Sequence, residues 1–341
     1  MRRTTPATKL TNLIYLEDMA MRTLIITASF ILCAALSGCA SIENSLFNMG
    51  LGVERAMSDL DRKEIQVGKQ KWVYLEANAG EGKPTVVLLH GFAAEKDNWV
   101  RMARSMADYH IVAPDLPGHG ESTFRPDDYY GFDQQSLRVA EFVDAMKLKS
   151  FHLVGNSMGG GIAALYTYRH PNKVKSLTLM DAVGFYGSEQ SDVEKILESE
   201  QQNPLIVRSR EGFDTLIEYA MHQPPFMPWP AANVLARRAI EREHANDHIF
   251  EHIFKEAQAA KYAGGFKHIF EKINVPTYVV WGDQDRVLHV SSVEQFFLNM
   301  PNVRVDVIPQ IGHAPMLEVP AQTSAMLQEF WLGLKQNSTP V

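Results

Sequence analysis

FHLVGNSMGGGIAALYTYRHP, residues 151–171, sets a strand pattern directly against a helix pattern. Phe151, Leu153 and Val154 read as a buried strand, and Ile162, Ala163, Leu165 and Tyr166 as a helix. Between them stand Gly155, Asn156, Ser157, Met158, Gly159, Gly160 and Gly161. A dinucleotide fingerprint needs G-x-G-x-x-G, and a phosphate loop needs a following Lys-Ser/Thr; neither is here. Gly155-x-Ser157-x-Gly159 between strand and helix instead fits a nucleophile elbow. There the serine takes a strained backbone, and its neighbours must be small because strand and helix approach closely.

Working outward, apolar strands alternate with helices. Strands are expected at 85–90, 110–115, 151–155, 176–183, 277–283 and 303–309. Helices are expected at 97–107, 133–146, 158–170, 291–300 and 320–334. A hairpin over 64–67 and 71–77 precedes them. Such alternation makes βαβ units and a mostly parallel sheet, the α/β class. The rhythm stops between Gly184 and Ile273, where helical stretches surround the proline-rich PPFMPWP (224–230). An insertion between strands of an α/β sheet falls on the ligand side and reads as a cap. The expected organisation is therefore an export region at 1–39 and an amphipathic helix or linker at 40–62. Core segments at 63–183 and 274–336 flank a helical cap at 184–273, and 337–341 form a tail.

Three further signals follow strands. His90-Gly91-Phe92 presents a backbone N–H at Phe92 that, with the N–H of Met158, makes an oxyanion site. Trp281-Gly282-Asp283-Gln284-Asp285 offers two carboxylates, either of which can orient a histidine. Gly312-His313-Ala314-Pro315 sets a histidine, the natural base near neutral pH, on a defined loop. Serine, acid and histidine occur in that chain order. Among the 12 histidines, His244, His248 and His252 share i, i+4 spacing. Lacking the HExxH acid, they read as a solvated helix face and not as metal ligands.

Together HGF, DLPGHGES (115–122), GNSMGG, WGDQDRV and GHAPMLE (312–318) resemble the α/β-hydrolase superfamily over about 64–183 and 274–335. The resemblance implies an α/β-hydrolase fold, with Ser157 as nucleophile, Asp285 as acid, His313 as base, and Phe92 and Met158 as oxyanion donors. Asp285 takes precedence over Asp283 because the family acid is the second Asp of WGxxD. Nearer still, the export signal, the helix before the hairpin and the GNSMGG elbow are similar to family V bacterial lipases and esterases. Ser at 157, where dehalogenases and epoxide hydrolases have Asp, points away from those chemistries. The expected activity is a lipase or carboxylesterase working through an acyl-enzyme, with no metal or organic cofactor. GNSMGG is shared with meta-cleavage-product C–C hydrolases, which stay as an alternative beside a noncatalytic envelope-binding protein.

The chain has 341 residues and a net charge of −7, which gives nucleic acid no electrostatic attraction. Both cysteines, Cys33 and Cys39, lie near the N-terminus. Met21-Arg22 leads into LIITASFILCAAL and then Leu36-Ser37-Gly38-Cys39, a charged start, a short apolar run and a small-residue site. That ending resembles the lipobox of bacterial lipoproteins, which implies acylation of Cys39. Without Asp after Cys39, the resemblance implies outer-membrane sorting. Translation starts at Met1 or Met21; Glu17 and Asp18 fit a signal poorly. Ile42, Leu46, Met49 and Val53 then recur at helical spacing. That helix is expected to pack on the body or link it to lipid, its acidic residues weighing against a membrane-surface role. In the cap, Phe213, Leu216, Ile217, Tyr219, Met221, Phe226, Met227 and Trp229 are expected to supply cap core or an acyl channel. The expected partners are hydrophobic esters or lipids and a membrane, and oligomeric state is left open.

Overall fold

Strands buried on both faces carry continuous apolar runs. TVVLL, FHLVGN and TYVVWG form the middle of the sheet, with nearly every side chain out of solvent. The computed structural model describes residues 40–80, 82–199, 201–262 and 266–337; the export segment, Cys39 and residues 338–341 lie outside them.

A first helix, α1, covers 40–56. A hairpin follows, β1 (Asp61–Val67) and β2 (Gln70–Ala77). Then come β3 (Thr85–Leu89), a 3₁₀ turn (Lys96–Trp99), α2 (Val100–Ala103), β4 (His110–Pro114), α3 (Phe132–Ala145), β5 (Phe151–Asn156), α4 (Met158–Arg169) and β6 (Val174–Met180). Helices α5 (Asp192–Glu198), α6 (Arg210–Ala220), α7 (Ala231–Glu241), α8 (Glu243–Tyr262) and α9 (Lys267–Phe270) fill the interval to β7 (Thr277–Gly282). The chain continues through α10 (Ser292–Asn299), β8 (Val303–Ile308), α11 (Pro315–Glu318) and α12 (Pro320–Asn337).

The eight strands stand in the order β1-β2-β4-β3-β5-β6-β7-β8. β2 runs antiparallel to both neighbours, and the rest are parallel. From β3 the chain steps first to β4 on one side and then to β5 on the other. That reversal opens a crevice beyond the carboxyl ends of β3 and β5, where α/β sheets bind ligands. This is an α/β-hydrolase fold. One core, including Val87, Leu153, Phe142, Ile162 and Phe296, lies under α3, α4 and α10. The other, including Leu88, Trp99, Met102, Leu327 and Trp331, lies under α2 and α12.

Three expectations change. The helix expected at 97–107 shrinks to a 3₁₀ turn and the four-residue α2, because the Asp115 carboxylate holds the Lys96 N–H at 2.7 Å and commits the first turn to the core. Helix α1 forms, but Ile42, Leu46, Met49 and Val53 are exposed; the helix holds the body through polar side chains on its other side. In the cap, Phe213 joins Val207 and Ala236 in a small core of its own. Phe226 and Trp229, by contrast, are 83% and 68% exposed and line no interior channel.

Candidate active site

Ser157 sits where β5 ends and α4 begins, with φ 54° and ψ −121°. A non-glycine residue held there costs about 1–3 kcal/mol, so its surroundings must over-determine it. They do: its N–H donates to Met180 O at 3.0 Å, and its carbonyl accepts from Gly160 at 3.0 Å and Val183 at 3.0 Å. The glycines are steric requirements. A Cβ on Gly155 would lie 2.2 Å from Gly159 O, one on Gly159 would lie 2.4 Å from Leu89 O, and one on Gly160 would meet Ala182 Cβ at 2.4 Å. Strand, elbow and helix therefore close on one another without side chains between them.

Asp285 lies three residues past β7 and His313 five past β8. His313 Nδ1 and Asp285 Oδ2 are 2.7 Å apart, both side chains buried. The second oxygen, Asp285 Oδ1, accepts the N–H groups of Val287 at 2.8 Å and Leu288 at 3.0 Å. Those bonds hold the carboxylate still and make Nδ1 the imidazole nitrogen that bonds it, leaving Nε2 as the nitrogen a base would use. Asp283, the competing carboxylate, instead accepts the Gln310 N–H at 2.6 Å and pins the loop before His313. Asn156, next to Ser157, donates from Nδ2 to the His313 carbonyl at 3.1 Å. The elbow and the histidine loop are thus joined directly.

Phe92 and Met158 occupy the loop after β3 and the first position of α4. Among the described residues neither N–H donates to another protein group; for Met158 this is ordinary at a helix N-terminus, and both donors are available. A Cβ on Gly91 would lie 3.1 Å from Ser157 Cβ, so the loop runs directly beside the elbow.

Two functional residues escaped sequence reading. His90 is fully buried. Its Nε2 accepts the Leu116 N–H at 2.9 Å, which makes Nδ1 the protonated nitrogen, donating to Gly91 O at 2.8 Å. Burial lowers its pKa and keeps it neutral. Because N–H and C=O of a peptide point opposite ways, holding the Gly91 carbonyl aims the Phe92 N–H. Asp181, one residue past β6, is also fully buried, with φ 44°. Its Oδ1 accepts the Gly282 N–H at 2.9 Å. Burial pushes its carboxyl well above the usual range, and the nearby charge of Asp285 pushes the same way. The only sequence signal was a carboxylate closing an apolar strand.

Asp181, Asp285 and His313 present atoms within 4.8 Å of one another. Only His313 and Asp285 are hydrogen-bonded to each other: Asp285 spends both oxygens on N–H donors, and Asp181 lies beside the pair with its Oδ2 unpartnered and its neutral form favoured by burial. The trio at His244, His248 and His252 divides: His244 is exposed, as a solvated face requires, while His248 and His252 are half-buried. His248 Nε2 bonds Asp128 O at 3.0 Å, His252 Nδ1 accepts the Tyr130 N–H at 3.2 Å, and His244 packs edge-on to Phe124. They seat α8 on the core.

DLPGHGES is a structural knot. Lys96, fully buried, donates from Nζ to Asp115 at 2.9 Å and to Glu121 at 2.8 Å. The Glu121 N–H reaches the same Asp115 carboxylate at 2.8 Å. A Cβ at Gly120 would lie 2.2 Å from Asp115 Cγ, so the turn over that carboxylate admits only glycine.

With this geometry in place, the chain matches the alpha/beta hydrolase fold family over residues 84–320. It is 34% identical to Lipase 3 of Moraxella sp. (strain TA144), over 88% of this chain and 95% of that protein. It is 33% identical to Lipase 1 of Psychrobacter immobilis, over 92% of this chain and 98% of that one. Among solved structures it is similar to a membrane phospholipase A described as a bacterial virulence factor. That likeness has a TM-score of 0.82 and 36% identity, covering 92% of this chain and 99% of the other. The fold, the elbow and these relationships lead to one conclusion: this chain belongs to the α/β-hydrolase family.

Proposed function

We propose that Ser157, His313 and Asp285 are the nucleophile, general base and orienting acid of a lipase or carboxylesterase acting on hydrophobic acyl esters. The observation that carries this reading is the 2.7 Å bond from His313 to Asp285 beside the strained, glycine-walled Ser157. The protein is a hydrolase of lipase or esterase type, as its lipase relatives and the fold support together. The finer assignments belong to the mechanism proposed here.

In that mechanism His313 takes the Ser157 proton as the oxygen attacks the ester carbonyl; the serine–imidazole bond of such sites tightens with substrate bound. Negative charge develops on the carbonyl oxygen, where the N–H groups of Phe92 and Met158 receive it. His313 returns the proton to the departing alcohol and an acyl-enzyme remains. Water, deprotonated by His313, then attacks the acyl carbon and releases the acid. Asp285 stabilises the imidazolium through both steps.

The substrate is a carboxylic ester with a hydrophobic acyl chain, the chemistry of a lipid ester. Export, acylation at Cys39 and attachment to the outer membrane complete the reading and place the enzyme beside such esters. The family V assignment rests on the same N-terminal features. Labelling by a serine-directed fluorophosphonate, lost in Ser157→Ala, tests the nucleophile. A p-nitrophenyl ester series run beside a vinylogous diketone tests the bond cleaved, and turnover of the diketone alone overturns the ester assignment. Palmitate incorporation lost in Cys39→Ala tests the anchor; an unlabelled mature protein removes it.

A further inference from the structure

Helix α1 is amphipathic with its faces reversed. Ile42, Leu46, Met49, Val53 and, just beyond the helix, Met57 are 59%, 40%, 64%, 56% and 58% exposed. Spaced by three or four residues, they make one outward stripe. The charged residues of the helix all turn inward. Glu43 bonds Arg237 and Asn233 of α7. Glu54 bonds Arg101 and Arg104, and Arg55 grips both oxygens of Asp97 at 2.7 Å. Between the stripe residues the exposed positions are Ser41, Ser45, Asn48, Gly50, Gly52 and Ala56, so the outward face carries no charge. Acidic residues, the sequence-level objection to a membrane-surface helix, are thus spent on the body.

We propose that this face is a lipid-docking surface: α1 lies in the plane of a bilayer with Ile42, Leu46, Met49 and Val53 seated among the acyl chains. Three observations choose lipid as the occupant. The helix is described from Ala40, one residue after Cys39, so the face begins beside the residue proposed above to carry the lipid. Trp229 and Phe226 are the most exposed aromatic residues of the cap. Trp229 lies four residues before Asn233, which bonds Glu43 near the start of α1; tryptophan favours the membrane interface. Finally, at about 1.5 Å per residue, 17 helical residues measure about 25 Å, and no helix among the described residues is long and apolar enough to cross a membrane. An in-plane seat is the geometry left to a neutral apolar stripe, and neutral lipid suffices because no charge is offered.

The inference rests on the lipid-facing reading above and adds a contact independent of Cys39 acylation. The test uses the full chain bound to vesicles of phosphatidylcholine with brominated acyl chains. Trp72, Trp99, Trp281 and Trp331 are buried, so a Trp229→Phe background leaves the surface free of indole. Met49→Trp then reports the stripe. Leu298→Trp, equally exposed at 64% on α10 beneath the opposite sheet face, serves as control. An interfacial helix sinks its apolar face roughly 5–10 Å, so emission from Met49→Trp should be quenched about threefold or more beyond that from Leu298→Trp. Equal quenching at both positions in vesicle-bound protein overturns the proposal while leaving the anchor. So does a Met49→Trp emission already shielded without vesicles, the result if a second copy or residues 24–36 cover the stripe. A full chain that ignores vesicles overturns both. Quenching that survives Cys39→Ala, with palmitate labelling lost, supports the helix as a contact in its own right.

Discussion

Two carboxylates meet at the base of the site, and their environments give them opposite tasks. Asp285 accepts three hydrogen bonds, from His313 and two backbone N–H groups. Asp181 accepts one, from Gly282, and is buried against its neighbour's charge. Burial therefore favours the neutral form of Asp181, while Asp285 is arranged to accept hydrogen bonds. Asp285→Asn should lower kcat by about 10⁴-fold, as expected when the imidazole loses its ionised partner. Asp181→Asn preserves the neutral form and should keep most of kcat at neutral pH. With a folded pKa above its unfolded value, Asp181 stabilises the fold while protonated, and that contribution is lost as pH rises toward the folded value. Melting temperature in Asp181→Asn should therefore fall less between about pH 5 and about pH 9 than in the wild type; identical slopes would refute the assignment. His90 gives a second residue-scale prediction. Removing its grip on Gly91 O releases the Phe92 N–H, so His90→Ala should cost up to roughly 100- to 1000-fold in kcat, the worth of one oxyanion donor. Because His90 is held neutral, the pH profile of the residual activity should keep its shape.

At the scale of elements, the β5–α4 junction gives little room for change and α1 much more. Gly155→Ala drives a methyl to 2.2 Å from the Gly159 carbonyl, with only backbone to give way. A loss of more than about 4 kcal/mol, the exceptional end of point mutations, is expected in denaturant titration. Gly50→Ala, with nothing within 4 Å of the new methyl, should add about 0.5–1 kcal/mol through helix propensity. The contrast explains what was legible in the sequence. The elbow, the buried strands and the histidine loop declare themselves through residue types at short spacing, although their partners lie far along the chain. His90 and Asp181 act through groups 26 and 101 residues away, and no local pattern encodes a tautomer or a shared proton. Helix α1 was legible as a helix but not in its orientation. Periodicity tells that a stripe exists, while which side meets the protein is decided by Arg101, Arg104 and Arg237 on other elements. The same applies to Phe226 and Trp229, whose apolar character suggested interior and whose place on the cap is outside.

For the molecule as a whole, His313, the proposed base, is sewn to the cap as well as to the sheet. One oxygen of Glu318 accepts the N–H groups of His222 at 2.9 Å and Gln223 at 2.6 Å, just past the first long cap helix α6; its other oxygen accepts Gly312 N–H at 2.9 Å. His313 itself donates its N–H to Ala220 O at 3.0 Å, the last residue of α6. Movement of α6 therefore drags the histidine loop, and cap position and base position become one variable. The final Glu of GHAPMLE, read from sequence as part of a motif, is the residue that makes this connection. Glu318→Gln keeps the shape but replaces one acceptor oxygen with an NH₂ that faces N–H donors. Hydrogen bonds to a charged group contribute about 1.5–3 kcal/mol, so a loss of roughly 10- to 100-fold in kcat/KM is expected. Because the loss comes from a displaced base, it should fall mainly on kcat and persist with the shortest p-nitrophenyl ester, whose acyl chain barely reaches the cap. A defect confined to long-chain esters, expressed in KM alone, would mean that Glu318 shapes only the substrate channel and that cap and base move separately.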